Sequence, residues 1–399
     1  MIDFFRKARA PSLTEVPDAR ADDVSESRAR DYYAYALLAA LALGCIVRFY
    51  QILRTDFPLN DGGLFYTMVR DLQHNNLALP SFTTYNASNI PFAYPPLALY
   101  ITAVIDRITP FGLPFWFRAL PLLFTCLTLF AFVQLARTVL ISRVAVVASV
   151  LGFALIPRSF IWLLMGGGLT RALGMAFAIF ALQQVYLLYT KEDRRYLLPA
   201  ILLSAGTVLS HLETGWFLAF SIALFWAVKR MSMAGAKNSV LLALGTLVVT
   251  APWWATVVAY HGLGPFLDAN STGGTFFSNG ANRDLVFQSI ARAVATSEPY
   301  FPVIGALGLL GGLACLSSRR FLLPAWWLAI ILFDVRAFAT YASVPVALLA
   351  GVAISEAIIP LLKRLRAADD EAATTDDGSR ARTRSTAPFG LPWGGIAVL

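Results

Sequence analysis

Ionisable residues beside hydrophobic segments are the first candidates for chemistry in this 399-residue chain. Asp61 opens an amphipathic pattern in which apolar side chains recur between positions 64 and 72 at helical spacing. A carboxylate in this position could act as a general base or as a metal ligand aimed into a cavity. Because Asp also favours the N-cap of a helix, the residue could instead cap the following helix. The two roles are compatible, since a cap position fixes the direction of the carboxylate.

A second candidate is the sequence GGGLTR at 166–171, which lies at a turn that opens a helical segment. Glycines allow backbone N–H groups to approach an anion, and the start of a helix adds partial positive charge. Arg171 supplies a fixed cation suited to phosphate. The alternative is a flexible turn with an arginine that reaches out of the membrane. The glycines are not a P-loop, because no Gly-Lys-Ser/Thr follows them.

Two short turns carry the remaining charged candidates. His211 and Glu213 are two residues apart and could share a proton, bind a metal or contact a polar acceptor; a polar interface turn is the alternative. Arg336 is a second candidate for an anionic head group, and its alternative role is an ion pair with Asp334. Tyr94 precedes two prolines, a pattern typical of the start of a helix at a membrane interface.

The composition indicates how these residues are held. Hydrophobic residues make up 57% of the chain and charged residues 14%, against roughly 25% charged in soluble domains. The apolar residues are grouped in runs that approach the roughly 20 residues of a membrane-spanning helix. These features predict an all-α, polytopic membrane protein. The net charge of +8 is assigned to loops that set topology, and no nucleic acid partner is predicted.

The basic clusters decide the topology. The apolar run 95–105 is too short to span, and we interpret it as a second interfacial helix after the one that Asp61 opens. With this assignment every later basic cluster falls on the side of the N-terminus, as the positive-inside rule requires. About ten spans result: 33–52, 114–136, 144–165, 172–190, 196–210, 214–228, 238–260, 299–316, 321–334 and 337–362.

The composition and the assigned spans divide the chain into four segments. We predict a cytoplasmic tail at 1–31 and a transmembrane domain at 32–362, whose first outer loop is 53–113. Residues 363–388 have the composition of a disordered cytoplasmic linker. Residues 389–399 begin a further apolar segment, which suggests a longer chain. The predicted location is the plasma membrane, with the N-terminus in the cytoplasm and the candidate residues on the outer face.

One span, an acid that opens an interfacial helix and the run Tyr94-Pro95-Pro96-Leu97 together resemble the GT-C-type integral membrane glycosyltransferases. Protein O-mannosyltransferases and aminoarabinose transferases belong to this group. The resemblance implies transfer of a sugar from a polyprenyl-phosphate donor to a protein, lipid or glycan acceptor at the outer face. Asp61 matches the family's first-loop acid, which implies a role as catalytic base. The sequences HLE at 211–213 and RAFATY at 336–341 look like later family elements.

The resemblance completes the functional hypothesis: an inverting glycosyltransferase in which Arg171 and Arg336 bind the donor phosphate. Tyr94, His211, Glu213 and Asp334 are expected to line the acceptor side or the cavity. Family members often carry an acid pair where this chain has Asp61-Gly62-Gly63, and a second acid where it has GGGLTR. The cofactor is therefore left open, with a divalent metal as one option. The rival hypotheses are a transporter or lipid flippase, which would place charges near the bilayer midplane, and a silent membrane scaffold.

Overall fold

The computed structural model describes residues 19–53, 61–165, 168–229, 231–272, 274–277, 280–291, 296–299 and 301–376. Within these ranges the chain is helical apart from turns and one antiparallel ribbon, in which Phe82–Thr83 (β1) pairs with Ile90–Pro91 (β2). The helices are Ala19–Leu53 (α1), Gly62–His74 (α2), Leu97–Ile108 (α3), Leu113–Val139 (α4), Arg143–Leu155 (α5), Ile161–Leu164 (α6), Gly168–Lys191 (α7), Leu197–Ser210 (α8), Leu212–Lys229 (α9), Met233–His261 (α10), Gly264–Thr272 (α11), Gly280–Ala291 (α12), Val303–Ser317 (α13), Leu322–Phe333 (α14), Phe338–Ala353 (α15) and Ile359–Asp376 (α16).

The predicted class, a polytopic all-α membrane protein, is confirmed. Among the described residues six helices are long and apolar enough to cross a membrane, or seven if a bent pair counts as one span. Two further apolar helices, α13 and α14, are shorter. The predicted number of ten spans is not confirmed, because several of its segments correspond to helices of only 12 to 15 residues.

The predicted span 144–165 is wrong in its shape. The chain turns by 81° between α5 and the segment Pro157–Leu164. Pro157 has no backbone N–H to continue the helix, and the residue before a proline is driven out of the α region. The fully buried Arg48 of α1 stabilises this break by donating to the Ala154 carbonyl at 3.2 Å and to Ser159 Oγ at 3.2 Å.

Two short helices, α2 and α3, occupy the positions predicted for the interfacial pair, and they pack against each other. Asp71 on α2 holds the intervening loop: its carboxylate accepts hydrogen bonds from the Thr83 hydroxyl at 2.7 Å and from the Thr84 N–H and hydroxyl at 2.9 and 2.6 Å. The loop therefore has a fixed conformation as it leads from α2 to Tyr94.

Helix α15 lies in the core, and every one of its residues is buried. Helix α13 crosses it so closely that a Cβ at Gly311 would lie 1.9 Å from the Leu349 carbonyl oxygen. Small residues allow this approach, as is common between membrane helices. The turn that precedes α15 is thereby held against the centre of the molecule.

The first and last described helices extend into the two polar segments that the sequence predicts on either side of the transmembrane domain. Helix α1 starts at Ala19, inside the predicted tail 1–31, and α16 continues to Asp376, inside the predicted linker 363–388. A π-helical segment, Ile354–Ile358, joins α15 to α16. The linker at 363–388 stays a prediction. Residues 1–18 and 377–399 lie outside the described residues.

Candidate active site

One cavity of about 1330 Å³ lies where the loops before α2 and α3 meet the ends of α7, α8, α9 and α14. All seven residues selected from the sequence line it. They come from the turn before α2, the loop before α3, helix α7, the junction of α8 with α9, and the turn between α14 and α15: Asp61, Tyr94, Arg171, His211, Glu213, Asp334 and Arg336. Residues up to 275 positions apart in sequence are thus brought to one space.

Asp61 and Arg171 form the best-defined contact in the cavity. Arg171 Nη2 donates to Asp61 Oδ2 at 2.8 Å. The two partners differ in exposure, since the Asp61 side chain is 51% exposed and that of Arg171 only 10%. Asp61 does occupy the N-cap position of α2, but its side chain makes no capping hydrogen bond. The predicted capping role is therefore wrong, because the carboxylate turns towards Arg171.

Arg171 is also held from its other face. Its guanidinium carbon lies 4.5 Å from the centre of the Trp162 ring, close enough for a cation–π contact. Its second terminal nitrogen, Nη1, is buried and has no hydrogen-bond acceptor among the described residues. A buried cationic N–H without an acceptor is costly, so this edge of the guanidinium is suited to an anionic ligand.

The start of α7 explains why Arg171 is fixed. A Cβ at Gly168 would lie 2.0 Å from the Leu163 carbonyl oxygen, so only glycine allows α6 and α7 to meet so closely. Gly166 and Gly167, the other two residues of the predicted anion-binding turn, lie outside the described residues. Arg171 follows within the first turn of α7 and is directed by a tightly packed backbone.

Tyr94 and His211 belong to two separate polar groups in the cavity wall. The Tyr94 hydroxyl lies 3.2 Å from Thr170 Oγ1. The Thr214 N–H donates to His211 Nδ1 at 3.2 Å, and Thr214 Oγ1 lies 3.0 Å from the Tyr341 hydroxyl. Burial raises the pKa of Tyr94 to about 12. Burial, with the charges of two nearby arginines, lowers the pKa of His211 to about 3, so both groups are neutral near pH 7.

A second charged part of the cavity wall carries Glu213, Asp334 and Arg336. Arg336 Nε lies 3.8 Å from Glu213 Oε1, and the Arg336 side chain is 61% exposed. Asp334 instead accepts a hydrogen bond from the Ala337 N–H at 2.9 Å. The alternative of an ion pair between Asp334 and Arg336 is therefore wrong; the acid caps the turn before α15. Burial, and then the charge of Glu213, raise the pKa of Asp334 to about 7.

Comparison with known proteins gives the fold. No family model and no curated protein sequence matches the chain. Among solved structures, it is similar to ArnT from Cupriavidus metallidurans bound to undecaprenyl phosphate, with a TM-score of 0.58, 17% identity and coverage of 80% of this chain and 60% of that one. The archaeal oligosaccharyltransferase AglB from Archaeoglobus fulgidus, in complex with an inhibitory peptide and a dolichol-phosphate, gives a TM-score of 0.57, 15% identity and coverage of 92% and 53%.

The chain has the GT-C fold. The resemblance drawn from the first-loop motifs is thus confirmed at the level of the fold. The chain spans 53% to 60% of the length of these two matched structures.

Sequence reasoning assigned no role to three other side chains of the GT-C cavity. Arg158 and Trp162 come from the bent segment after α5, and His261, at the end of α10, lies with its Nε2 2.6 Å from the Ser81 carbonyl oxygen. An arginine beside a proline inside an apolar run was the available signal for Arg158, since charge at membrane depth is costly. Trp162 gave no such signal, because tryptophans are common at membrane interfaces.

The described side chains of the cavity include several that can act as metal ligands, but their arrangement does not form a metal site. Among the described residues no group of three His, Cys, Asp or Glu side chains is arranged to hold a metal ion. The carboxylate of Asp61 is engaged by Arg171, and His211 Nδ1 accepts from a backbone N–H. The described residues of this GT-C cavity therefore do not fit a metal site.

Proposed function

We propose that this multi-pass membrane protein is a glycosyltransferase that moves a sugar from a polyprenyl-phosphate donor to an acceptor hydroxyl at the outer face of the membrane. The observation that supports this proposal most strongly is the ion pair between Asp61 and Arg171. The pair lines a cavity that also borders α2 and the loop before α3. The solved structures with the same fold are described as bound to undecaprenyl phosphate and in complex with a dolichol-phosphate. Both ligands join a long apolar tail to a phosphate, as the proposed donor does.

In this proposal Arg171 binds the phosphate group of the donor. Its Nη2 is engaged by Asp61, whereas the buried Nη1 has no acceptor among the described residues. A phosphate oxygen at Nη1 would satisfy that donor with a charge-assisted hydrogen bond. Arg336 lies across the same cavity and is more exposed, so we assign it a weaker, outer contact with the phosphate.

Asp61 supports the chemical step. Its half-exposed carboxylate can accept the proton of an acceptor hydroxyl, whose oxygen then attacks the anomeric carbon of the sugar. The bond between that carbon and the phosphate oxygen breaks, and polyprenyl phosphate leaves with the electron pair. The departing charge is stabilised by guanidinium groups already in place, which is the usual source of a large electrostatic contribution. Attack opposite to the leaving group would invert the anomeric configuration.

Tyr94, His211, Glu213 and Asp334 complete the acceptor side of the proposal. Tyr94 and His211 are neutral near pH 7 and can contribute hydrogen bonds but no charge. Glu213 is partly exposed in the cavity and can accept a hydrogen bond from a sugar or protein hydroxyl. Asp334 acts indirectly, by fixing the turn that carries Arg336.

Ligand binding tests the donor class without knowledge of the acceptor. The full chain in lipid nanodiscs is titrated with polyprenyl phosphate and, as a matched control, with the polyprenol that lacks the phosphate. We expect the phosphate to bind at least about tenfold more tightly, a difference of about 1.4 kcal/mol. Equal affinities would overturn the phosphate assignment and favour a protein that recognises only the apolar tail.

Transfer is then tested with a panel of radiolabelled polyprenyl-phosphate sugars and membrane-derived acceptors. Label should move to an acceptor with wild-type protein and not with Asp61→Asn. Movement of intact donor across the bilayer without transfer would instead identify a flippase. The cofactor is left open with a divalent metal as one option, and a chelator added to this assay tests that option.

A further inference from the structure

We propose that Arg158 is a second phosphate-binding cation of the donor site, brought to the cavity that Arg171 lines by the break in the helix after α5. The inference rests on the proposed function and adds a residue to it. Arg158 lines the same cavity as Asp61 and Arg171. Arg158 has no role in the mechanism proposed above.

The position of Arg158 is built into the fold. It lies in the 3₁₀ turn Pro157–Ser159, at the sharp bend of the chain. Arg48 anchors this turn from within the membrane domain by donating to Ser159 Oγ, and its guanidinium lies 4.8 Å from the centre of the Phe160 ring. A buried arginine is costly in a membrane helix unless it is well partnered. Its use here to support a bend indicates that the bend itself matters.

The bend brings Arg158 to the cavity that Arg171 lines. Trp162, four residues further on, lines the cavity and packs against the guanidinium of Arg171. Both ends of this short segment therefore line the cavity, and its Trp162 end contacts Arg171. An unbroken helix in the predicted span 144–165 would have carried Arg158 and Trp162 away along the helix axis.

The pairing of the three cavity arginines separates Arg158 from the other two. Arg171 is paired with Asp61 at 2.8 Å, and Arg336 lies 3.8 Å from Glu213. Arg158 donates from Nε to the neutral Ser297 hydroxyl at 2.7 Å, and none of the described carboxylates forms an ion pair with it. A half-buried guanidinium without a counter-charge favours an anionic partner.

The chemistry of the reaction requires such a group. The donor is a phosphate diester with one negative charge, whereas the departing polyprenyl phosphate is a monoester that carries about −1.5 to −2 near pH 7. Negative charge therefore grows on the phosphate as the bond to the sugar breaks. Arg171 already shares its charge with Asp61, so a second guanidinium at the phosphate stabilises the added charge.

A structural role must be separated from this proposal, because Arg158 also contacts the segment 296–299. That segment has an anchor of its own: Glu298 accepts hydrogen bonds from the N–H groups of Ile304 and Gly305 at the start of α13. Ser297→Ala removes the hydroxyl that Arg158 contacts and leaves the guanidinium free. It is therefore the matched control for any loss that follows from a loosened loop.

The test measures binding of polyprenyl phosphate and of polyprenol to the nanodisc-embedded full chain, as wild type, Arg158→Gln, Arg158→Lys and Ser297→Ala. Arg158→Gln should weaken phosphate binding about tenfold, consistent with one lost charge-assisted contact, and leave polyprenol binding unchanged. Arg158→Lys, which keeps the charge and loses the planar fork, should lie between. Ser297→Ala should bind the phosphate as wild type does.

The proposal is overturned if Arg158→Gln and Arg158→Lys both bind the phosphate like wild type, or if Ser297→Ala loses as much affinity as Arg158→Gln. If Arg158→Gln does not fold, Arg158→Lys and Ser297→Ala decide the question. These outcomes differ from a failure of the proposed function, in which the wild type itself would not distinguish polyprenyl phosphate from polyprenol.

Discussion

The two charged walls of the cavity are built in different ways. On one wall a buried Arg171, packed on Trp162, holds Asp61 at 2.8 Å. On the other wall an exposed Arg336 lies 3.8 Å from Glu213. The first pair is short and has a buried arginine, whereas the second pair is longer and its arginine is exposed.

For the proposed transfer reaction, this difference predicts a division of labour. Catalytic stabilisation requires groups that are already oriented, because their reorganisation would cost free energy during the reaction. An exposed ion pair contributes only about 0 to 1 kcal/mol and adapts easily to different partners. The wall of Asp61 and Arg171 is thus suited to the chemical step, and the wall of Glu213 and Arg336 to selection of the acceptor or donor headgroup.

Asp61→Asn should have the largest effect on transfer. Loss of a general base typically lowers the rate by about 10² to 10⁴-fold, and binding of polyprenyl phosphate should persist because Arg171 is retained. The measurement is the initial rate of transfer alongside phosphate affinity. Asp71→Asn is the control. Asp71 lies on the same helix but accepts hydrogen bonds from Thr83 and Thr84, so its loss should lower the thermal unfolding midpoint and have a smaller effect on the transfer rate. Full activity in Asp61→Asn would remove the assignment of the base.

Arg171→Gln should come next, through donor binding. It removes the buried cation and leaves Asp61 without its partner, so we expect polyprenyl-phosphate affinity to fall by about 10 to 100-fold. Arg171→Lys should recover only part of this loss, because an ammonium cannot hold Asp61 and a phosphate with one planar fork. The readout is the dissociation constant in nanodiscs. Unchanged affinity in both variants would show that the wall of Asp61 and Arg171 does not bind the phosphate.

Arg336→Gln should be milder than Arg171→Gln and therefore tests the contrast directly. An exposed side chain in a long ion pair is worth less, and we expect donor affinity to fall by at most about fivefold, or about 1 kcal/mol. Glu213→Gln is the matched control, because it removes the same pair from its other side. A loss in Arg336→Gln as large as that in Arg171→Gln would contradict the comparison of the two walls.

The sequence located the charged residues of the site because each stands out against apolar surroundings. Charge is costly at membrane depth, so Arg171, Asp334 and Arg336 were visible as exceptions to a simple pattern. The positive-inside rule then placed them on one face. The structure brings all three to one cavity. Their placement on the outer face stays a prediction.

The partnerships could not be predicted in the same way. Asp61 and Arg171 are 110 residues apart, and only tertiary packing brings their side chains together. Local reasoning offers only a neighbour in sequence as a partner, so Asp334 is the alternative partner of Arg336, whereas the structure pairs Arg336 with Glu213. The bend at Pro157 was missed for a related reason: hydropathy summed along an apolar run does not register a single broken hydrogen bond.

Asp334 provides the smallest expected effect and a test of how rigid the second wall is. Burial, and then the charge of Glu213, raise its pKa in the folded protein to about 7, against about 3.9 in an unfolded chain. The folded protein therefore keeps the proton of Asp334 at pH values at which the unfolded chain has already lost it. The contribution of Asp334 to stability is present in full below about pH 4 and is lost as the pH rises through about 7.

Asp334→Asn should remove this pH dependence while it keeps an oxygen that can accept from the Ala337 N–H. The measurement is the thermal unfolding midpoint in detergent between about pH 4 and about pH 8. We expect the wild-type midpoint to fall across this window more steeply than that of the variant. Asp193→Asn serves as the control, since hydrogen bonds from Arg195 lower the pKa of Asp193 and it titrates below the window. Equal slopes for wild type and Asp334→Asn would mean that Asp334 is ionised throughout, and that the turn before Arg336 is open to water.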